Sequence, residues 1–330
     1  NYPPLLAAPK LNGLERVDIG TVVQNDDGTS SETISSVEGA RYTLDFEALE
    51  REAADPKCKL FILCNPMNPV GSVLTKAELD RIAEICNANN VKLCSDEIHC
   101  DLILEEGKQH IPAGRESNLA ENSVIILTST IKPREAKEIG EKIKTTRIHI
   151  IDSPVSGGYP GAQSGTLTLM CAGNHDIINK YKKILESVSK DIHIVGTESG
   201  QGQRIKACLQ ALQGAIFAAL FEVSALAAKA GLKGQTVYDV FSTSGAGCGI
   251  VKTALENIID RKFTKTGSHI STMHKDLTIA LDMATKNGVP LHMASTAMQL
   301  FEAAKTKFPE GDNWIITKLV EEIVGAELHR

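Results

Sequence analysis

Residues 203–231 read QRIKACLQALQGAIFAALFEVSALAAKAG, and this stretch decides the fold. Ile205, Leu209, Leu212, Ile216, Leu220 and Val223 recur at three- or four-residue steps, the period of one helix face. The run continues to Gly231, a residue that ends helices by taking the left-handed conformation without a Cβ clash. The spacing predicts one long amphipathic helix. Downstream, segments 235–242, 251–259, 274–286, 291–308 and 314–327 fit further helices, so residues 199–330 read as all-α.

Upstream the pattern alternates. Residues 59–64 (KLFILC) form a short apolar run closed by a Pro/Asn/Gly loop at 65–71. Thr75 with Glu78 three residues on is a capping box. Leu79, Ile82, Ala83 and Cys86 follow on one helix face, Asn89-Asn90 stop it, and 91–95 reads as a strand. Further strands are predicted at 124–127, 147–152, 165–170 and 192–195, helices at 133–144 and 176–188, and a glycine-rich loop at 156–161. The fold class is therefore α/β with a parallel sheet, followed by an all-α part, with ligand loops at the carboxyl ends of strands.

Composition narrows the function. The chain has 330 residues, enough for two domains, and a net charge of -6 without any Lys/Arg block, which argues against nucleic acid. The most apolar stretch, 211–221, is bracketed by Lys206 and Glu222 and is shorter than a bilayer span, so no membrane segment is expected. No charged n-region and apolar h-region opens the chain, and a cytoplasmic location is expected. It begins at Asn1 rather than Met, which reads as a start inside a domain. The 8 cysteines form no CxxC pair and several sit in apolar runs, the pattern of reduced, buried thiols. Cys94, His99 and Cys100 match no zinc spacing, and no metal is expected.

Four segments resemble the β-hydroxyacid dehydrogenases, the family of 3-hydroxyisobutyrate and 6-phosphogluconate dehydrogenases. They are Ser129-Thr130-Ile131-Lys132-Pro133, Asp152-Ser153-Pro154-Val155-Ser156-Gly157-Gly158 with Gly165-Thr166-Leu167-Thr168, Gly200-Gln201-Gly202 with Lys206, and Lys275-Asp276-Leu277. The resemblance implies that Lys206 is the general acid/base, that Ser156, Gly157 and Gly158 hold the substrate carboxylate, and that Ser129, Thr130 and Lys275 border NAD or NADP. The chemistry is reasonable: glycine N–H groups converge on an anion, and a desolvated lysine loses its proton readily enough to take one from a hydroxyl. Most of the family carries Asn four residues after the lysine. Gln210 stands there, as in the threonate dehydrogenase branch, which implies a 3-hydroxy acid with further hydroxyls. Lys275-Asp276 taken alone is an ordinary surface pair.

The first part departs from that family. No Gly-x-Gly-x-x-Gly occurs in residues 1–130, so the pyrophosphate cradle of a dinucleotide site is missing. Instead Tyr42-Thr43-Leu44-Asp45-Phe46, Cys64-Asn65-Pro66-Met67-Asn68-Pro69-Val70-Gly71 and Ser95-Asp96-Glu97-Ile98-His99 are similar to fold-type I pyridoxal-phosphate (PLP) enzymes, nearest to the cystathionine β-lyase/aminotransferase class. That resemblance implies Asp96 on the pyridinium nitrogen, Asn68 on the ring oxygen and His99 beside it. The Schiff-base lysine is not found: Lys132 is near the expected spacing but precedes Pro133. The expected organisation is a PLP-transferase-like segment over 1–126, the end of a Rossmann-like domain over 127–198, and a helical dehydrogenase domain over 199–330. Where the two families join, the parallel sheet is expected to run on.

The expected function is an NAD(P)-dependent oxidoreductase acting on a threonate-like hydroxy acid and impaired by its missing fingerprint. The alternatives are a PLP-dependent C–S lyase or aminotransferase, or a non-catalytic chimera. Both cofactor sites read as incomplete. The partners expected are a small hydroxy acid and, through the long helices, a second copy of the chain.

Overall fold

A computed structural model describes residues 9–10, 13–24, 30–31, 41–67, 72–97, 110–112, 122–144 and 147–330. Contacts divide the chain into two compact units, Asn1–Ser123 with Thr146–Ile148, and Val124–Thr145 with His149–Arg330.

In the first unit, β1 (Thr21–Gln24), β2 (Ser30–Ser31) and β3 (Arg41–Leu44) form an antiparallel sheet of order β2-β1-β3. Helix α1 (Phe46–Ala53) follows, then β4 (Leu60–Cys64), α2 (Lys76–Ala88) and β5 (Lys92–Asp96). Strands β4 and β5 pair in parallel from Leu60↔Lys92 to Cys64↔Asp96, a βαβ unit. The capping box forms: Glu78 N–H donates to Thr75 Oγ1, and Glu78 Oε2 accepts from Thr75 N–H at 2.7 Å. Leu63, Leu74, Leu79 and Ile82 close the core between the helix and the pair.

The second unit begins with β6 (Val124–Leu127), α3 (Pro133–Ile143), β7 (His149–Asp152) and β8 (Val155–Ser156). Helix α4 (Gly158–Ser164), β9 (Leu167–Gly173), α5 (His175–Lys180), α6 (Lys182–Glu186) and β10 (Ser189–Gly196) complete the α/β part. The sheet order is β10-β9-β7-β6, with β8 on β9. The sheet is mixed rather than all-parallel, which corrects the sequence expectation. Strands β6 and β7 are parallel, as are β9 and β10, but β7 and β8 run antiparallel to β9. The connection from β7 to β9 is taken up by β8 and the short helix α4, and β8 already pairs antiparallel with β9, so the chain folds back rather than crossing over. Nor does the sheet run on across the family junction among the described residues: β4 and β5 pair with each other, and β6 pairs with β7.

The glycine-rich segment at 156–161, expected as a loop, contains the start of α4. The helix expected over 176–188 is interrupted at Tyr181. Of the cysteines, Cys94, Cys208 and Cys248 are exposed rather than buried; Cys64, Cys86 and Cys171 are buried, and no described cysteine is in a disulfide.

The helical part comprises α7 (Gln201–Lys229), α8 (Gly234–Thr243), α9 (Gly249–Ile259), α10 (Ile270–Lys286), α11 (His292–Lys307), a 3₁₀ turn at Asn313–Ile316 and α12 (Thr317–Val324). Phe217 stacks on Phe221 at 5.9 Å and meets the Trp314 ring edge-on at 5.6 Å, in a core with Leu255, Leu277 and Phe301. Helix α7 buries only part of the stripe that identified it: Leu220 is in the core and Ile216 packs against it. Ile205, Leu212 and Val223 are exposed, while Gln203, Lys206, Ala207, Gln210, Gly214 and Phe217 are buried. By length and composition α7 could cross a membrane, which the run 211–221 alone could not, but it forms the centre of the helical core.

Candidate functional site

Gln203, Lys206 and Gln210 are spaced three and four residues apart and so lie on one face of α7. All three are buried, and their partners sort into two clusters.

The first cluster closes the start of α7. Asp152, at the end of β7, is fully buried, and its Oδ2 accepts the Gly200 N–H at 2.7 Å and the Gln203 N–H at 3.4 Å. A helix N-terminus offers unpaired N–H groups and partial positive charge, which suits a buried carboxylate. Burial pushes the Asp152 carboxyl above its ordinary value, while hydrogen bonds from Gln203 and the Gly200 amide pull the other way. Gln203 Nε2 donates to Asp152 Oδ1 at 2.8 Å and to Ser129 O at 3.0 Å, and its Oε1 accepts the Ile131 N–H at 3.1 Å. One side chain thus fixes the loop at 129–131 to the end of β7.

The second cluster lies one turn further on. Gln210 Nε2 donates to Asp276 Oδ2 on α10, with Met273 Sδ at 3.6 Å. Lys275 Nζ donates to Asp276 Oδ1 at 2.7 Å and to Thr130 O at 2.8 Å. Asp276 is buried, which corrects its reading as half of a surface pair; Lys275 keeps an exposed side chain. Helix α10 comes this close because position 214 has no side chain: a Cβ there would meet Leu277 Cδ2 at 2.6 Å. Burial lowers the pKa of the Lys206 ammonium from its ordinary value; Asp276 opposes this and Lys275 adds to it. Gln210 Oε1 is shielded from solvent and has no hydrogen-bond partner among the described residues.

The expected residues Ser129, Thr130, Lys206, Gln210 and Lys275 therefore converge, joined through Gln203 and Asp276. Ser156, Gly157 and Gly158 stand at the turn from β8 into α4. Gly157 has φ 130° and Gly158 φ 59°, conformations that favour glycine, and both are exposed. No hydrogen bond links these three to Lys206 or Gln210 among the described residues. The sequence reading missed Asp152, Gln203 and the role of Asp276. Polar residues at 203, 206 and 210, on one face of the first turns of an otherwise apolar helix, were the available signal.

The nicotinamide end of a dinucleotide fits this arrangement, since the 129–131 backbone is fixed and the Lys275 amine sits on it. No Gly-x-Gly-x-x-Gly occurs in residues 1–130 to cradle its pyrophosphate. In the first unit, Asp96 ends β5 half-buried, and its carbonyl accepts the Asn65 N–H at 2.9 Å. Asn68 and His99 lie outside the described residues. Lys132 caps α3, its backbone N–H donating to Glu135 Oε2 at 3.1 Å. The Lys132 backbone is thus part of a helix cap, and Lys108 lies outside the described residues. No cluster of metal-ligating side chains occurs among the described residues.

Residues 200–320 match the family described as NAD-binding of NADP-dependent 3-hydroxyisobutyrate dehydrogenase, and residues 104–196 the NAD binding domain of 6-phosphogluconate dehydrogenase. Residues 28–132 match aminotransferase class I and II. The chain is 30% identical over 208 residues to L-threonate dehydrogenase of Pectobacterium atrosepticum, covering 63% of this chain and 68% of that protein. It spans 63% of the length of the Escherichia coli K12 enzyme of the same name, at 30% identity over 58% of this chain. It is 29% identical to 2-(hydroxymethyl)glutarate dehydrogenase of Eubacterium barkeri, covering 74% of this chain and 83% of that one. The fold is that of 3-hydroxyisobutyrate dehydrogenase from Salmonella typhimurium, with a TM-score of 0.60 at 23% identity, over 76% of this chain and 90% of that one. The chain therefore belongs to the NAD-dependent β-hydroxyacid dehydrogenases, with an aminotransferase class I/II segment in its first part.

Proposed function

We propose that the chain is an NAD(P)-dependent oxidoreductase for threonate-like hydroxy acids, with Lys206 as its acid/base. The observation that carries this reading is a buried lysine whose ammonium is disfavoured by desolvation and which has no hydrogen bond or ion pair among the described residues. A neutral amine in that position accepts the proton of a substrate hydroxyl, and the resulting ammonium is stabilised by Asp276. The exposed N–H groups of Gly157 and Gly158, beside the Ser156 hydroxyl, are assigned to the substrate carboxylate. Ser129, Thr130 and Lys275 are assigned to the nicotinamide side, where bound NAD(P) supplies the hydride acceptor.

Because residues 1–130 lack the pyrophosphate fingerprint, turnover is expected to be slow and the dinucleotide weakly held. The test is reduction of NAD⁺ and NADP⁺ with L-threonate and 3-hydroxyisobutyrate, monitored by the reduced nicotinamide. Complete absence of turnover with both cofactors rejects the dehydrogenase reading. The PLP reading has Asp96 in its favour but not a lysine, and incubation with PLP is expected to leave no borohydride-reducible adduct. The protein is assigned to the cytoplasm, without membrane or nucleic-acid partners.

Two copies are proposed to pair along α7, whose exposed Ile205, Leu212, Val223 and Leu226 form one apolar stripe. Leu212→Glu places a charge in that stripe and is expected to shift a sedimenting dimer to monomer. An unchanged sedimentation coefficient counts against the pairing.

A further inference from the structure

We infer that Asp276 is a positioning residue that orients the Gln210 amide, leaving Oε1 as an acceptor that selects hydroxy acids with a second hydroxyl beside the reacting one. This rests on the hydroxy-acid reading of the site. A primary amide has two N–H donors and one acceptor oxygen. Both donors of Gln210 have acceptors, Asp276 Oδ2 and Met273 Sδ. An ionised carboxylate only accepts, and Asp276 is paired with Lys275 through its other oxygen at 2.7 Å. Turning the amide over would set Oε1 against Oδ2, oxygen against oxygen. The orientation is therefore enforced by chemistry as well as by packing.

The consequence falls on Oε1. Gln210 is 6% exposed, and this oxygen has no donor among the described residues. Buried acceptors are normally satisfied, so an orphan on the same helix face as the acid/base lysine calls for a donor from the ligand. Gln210 lies four residues, about 6 Å of helical rise, beyond Lys206. Two hydroxyls on adjacent carbons span that interval through their two hydrogen bonds, one losing its proton to Lys206 and the other donating to Oε1. A monohydroxy acid leaves Oε1 unmet.

Binding rather than turnover tests this, by calorimetry without cofactor. The probes are 2,3-dihydroxybutanoate, 3-hydroxybutanoate and 2-fluoro-3-hydroxybutanoate, which differ only at the carbon next to the reacting one. The wild type is expected to bind the dihydroxy acid on the order of tenfold or more tighter than the other two, since fluorine cannot donate. Gln210→Leu is expected to bring the ratio close to one. Asp276→Asn frees the amide to turn over and is expected to lower the dihydroxy preference and raise the relative affinity of the fluoro acid. A change in fold stability alone does not produce that reversal. If the fluoro acid binds the wild type as tightly as the diol, Gln210 presents a donor and the inference fails. If all three bind equally, the hydroxy-acid reading stands and the Gln210 assignment is lost. If none binds, both fall together.

Discussion

The two polar clusters on α7 differ in how completely they are satisfied. Around Gln203, the amide N–H groups and oxygen meet Asp152, Ser129 and Ile131, and Asp152 is in turn covered by the helix N-terminus. One turn on, Lys206 has no hydrogen bond among the described residues, and Gln210 Oε1 is orphaned in a buried position. The residue types and burial are alike; the bookkeeping of donors and acceptors is not. A closed network in a low-dielectric interior rigidifies what it joins, while an open one is stable only if a ligand completes it. The first cluster is closed by its own partners; the second leaves an amine and an acceptor for the proposed substrate.

The largest effect separates them at once. Lys206→Met is expected to cut kcat/KM with L-threonate by about 10²–10⁴, the usual contribution of a positioned proton acceptor. Its melting temperature should hold or rise, because a buried cation has gone. The pH dependence carries the sign. Lys206 has a folded-state pKa below the ordinary 10.5, and oxidation needs the neutral amine. The rate therefore rises with pH through that lowered value, and the limb disappears in the variant. Stability follows the same direction: between the lowered value and 10.5 the unfolded chain binds the extra proton, so stability increases with pH across that window. A variant that keeps both the rate and its rising limb removes Lys206 from the chemistry.

The closed cluster should show the reverse. Gln203→Leu leaves Ser129 O, the Ile131 N–H and Asp152 Oδ1 each short of a partner, and is expected to cost about 3 kcal/mol in urea unfolding. The rising pH limb set by Lys206 should survive in the protein that remains folded. A loss below about 1 kcal/mol would mean that water replaces the amide and that the loop is not held by Gln203.

Much of this was visible in the sequence, though not for the reasons that periodicity supplies. The existence of α7 and its end near Gly231 followed from spacing, but half of the stripe that defined it, Ile205, Leu212 and Val223, faces solvent. Periodicity finds the bulkiest apolar row, whereas the buried face mixes Phe217, Leu220 and Phe221 with Ala207, Ala211, Gly214 and Ala218, residues small enough for neighbouring helices to approach. Asp276 read as a surface charge because its neighbour Lys275 is one; only the position of α10 reveals that one points in and the other out. The antiparallel return from β7 to β9 was hidden by a glycine-rich segment that reads as loop and folds partly as helix. Of the residues the resemblance named, the structure brings Ser129, Thr130, Lys206, Gln210 and Lys275 together through Gln203 and Asp276, and leaves Ser156, Gly157 and Gly158 without a hydrogen bond to Lys206 or Gln210 among the described residues.

The smallest expected effect on stability tests how the open cluster is held. Gly214→Ala adds a Cβ that meets Leu277 Cδ2 at 2.6 Å, so α10 must move by several tenths of an ångström or Leu277 must leave its rotamer. Overpacking of this kind costs about 1–3 kcal/mol, but alanine regains about 1 kcal/mol of helix propensity over glycine. The net change in unfolding free energy is expected to be about 1 kcal/mol or less. Selectivity should respond more than stability, since Asp276 and Met273 ride on α10 with Leu277. The preference for the dihydroxy acid is expected to fall as the amide of Gln210 loses its partners, while Gln203 and Asp152 stay in place. Adding Leu277→Val removes the methyl that clashes and should return the preference toward wild type. That recovery is a coupling between residues 214 and 277, measurable as a double-mutant cycle on the binding ratio. If the two substitutions are instead additive, the position of α10 does not set the Gln210 amide, and the open cluster owes its geometry to something other than the glycine at 214.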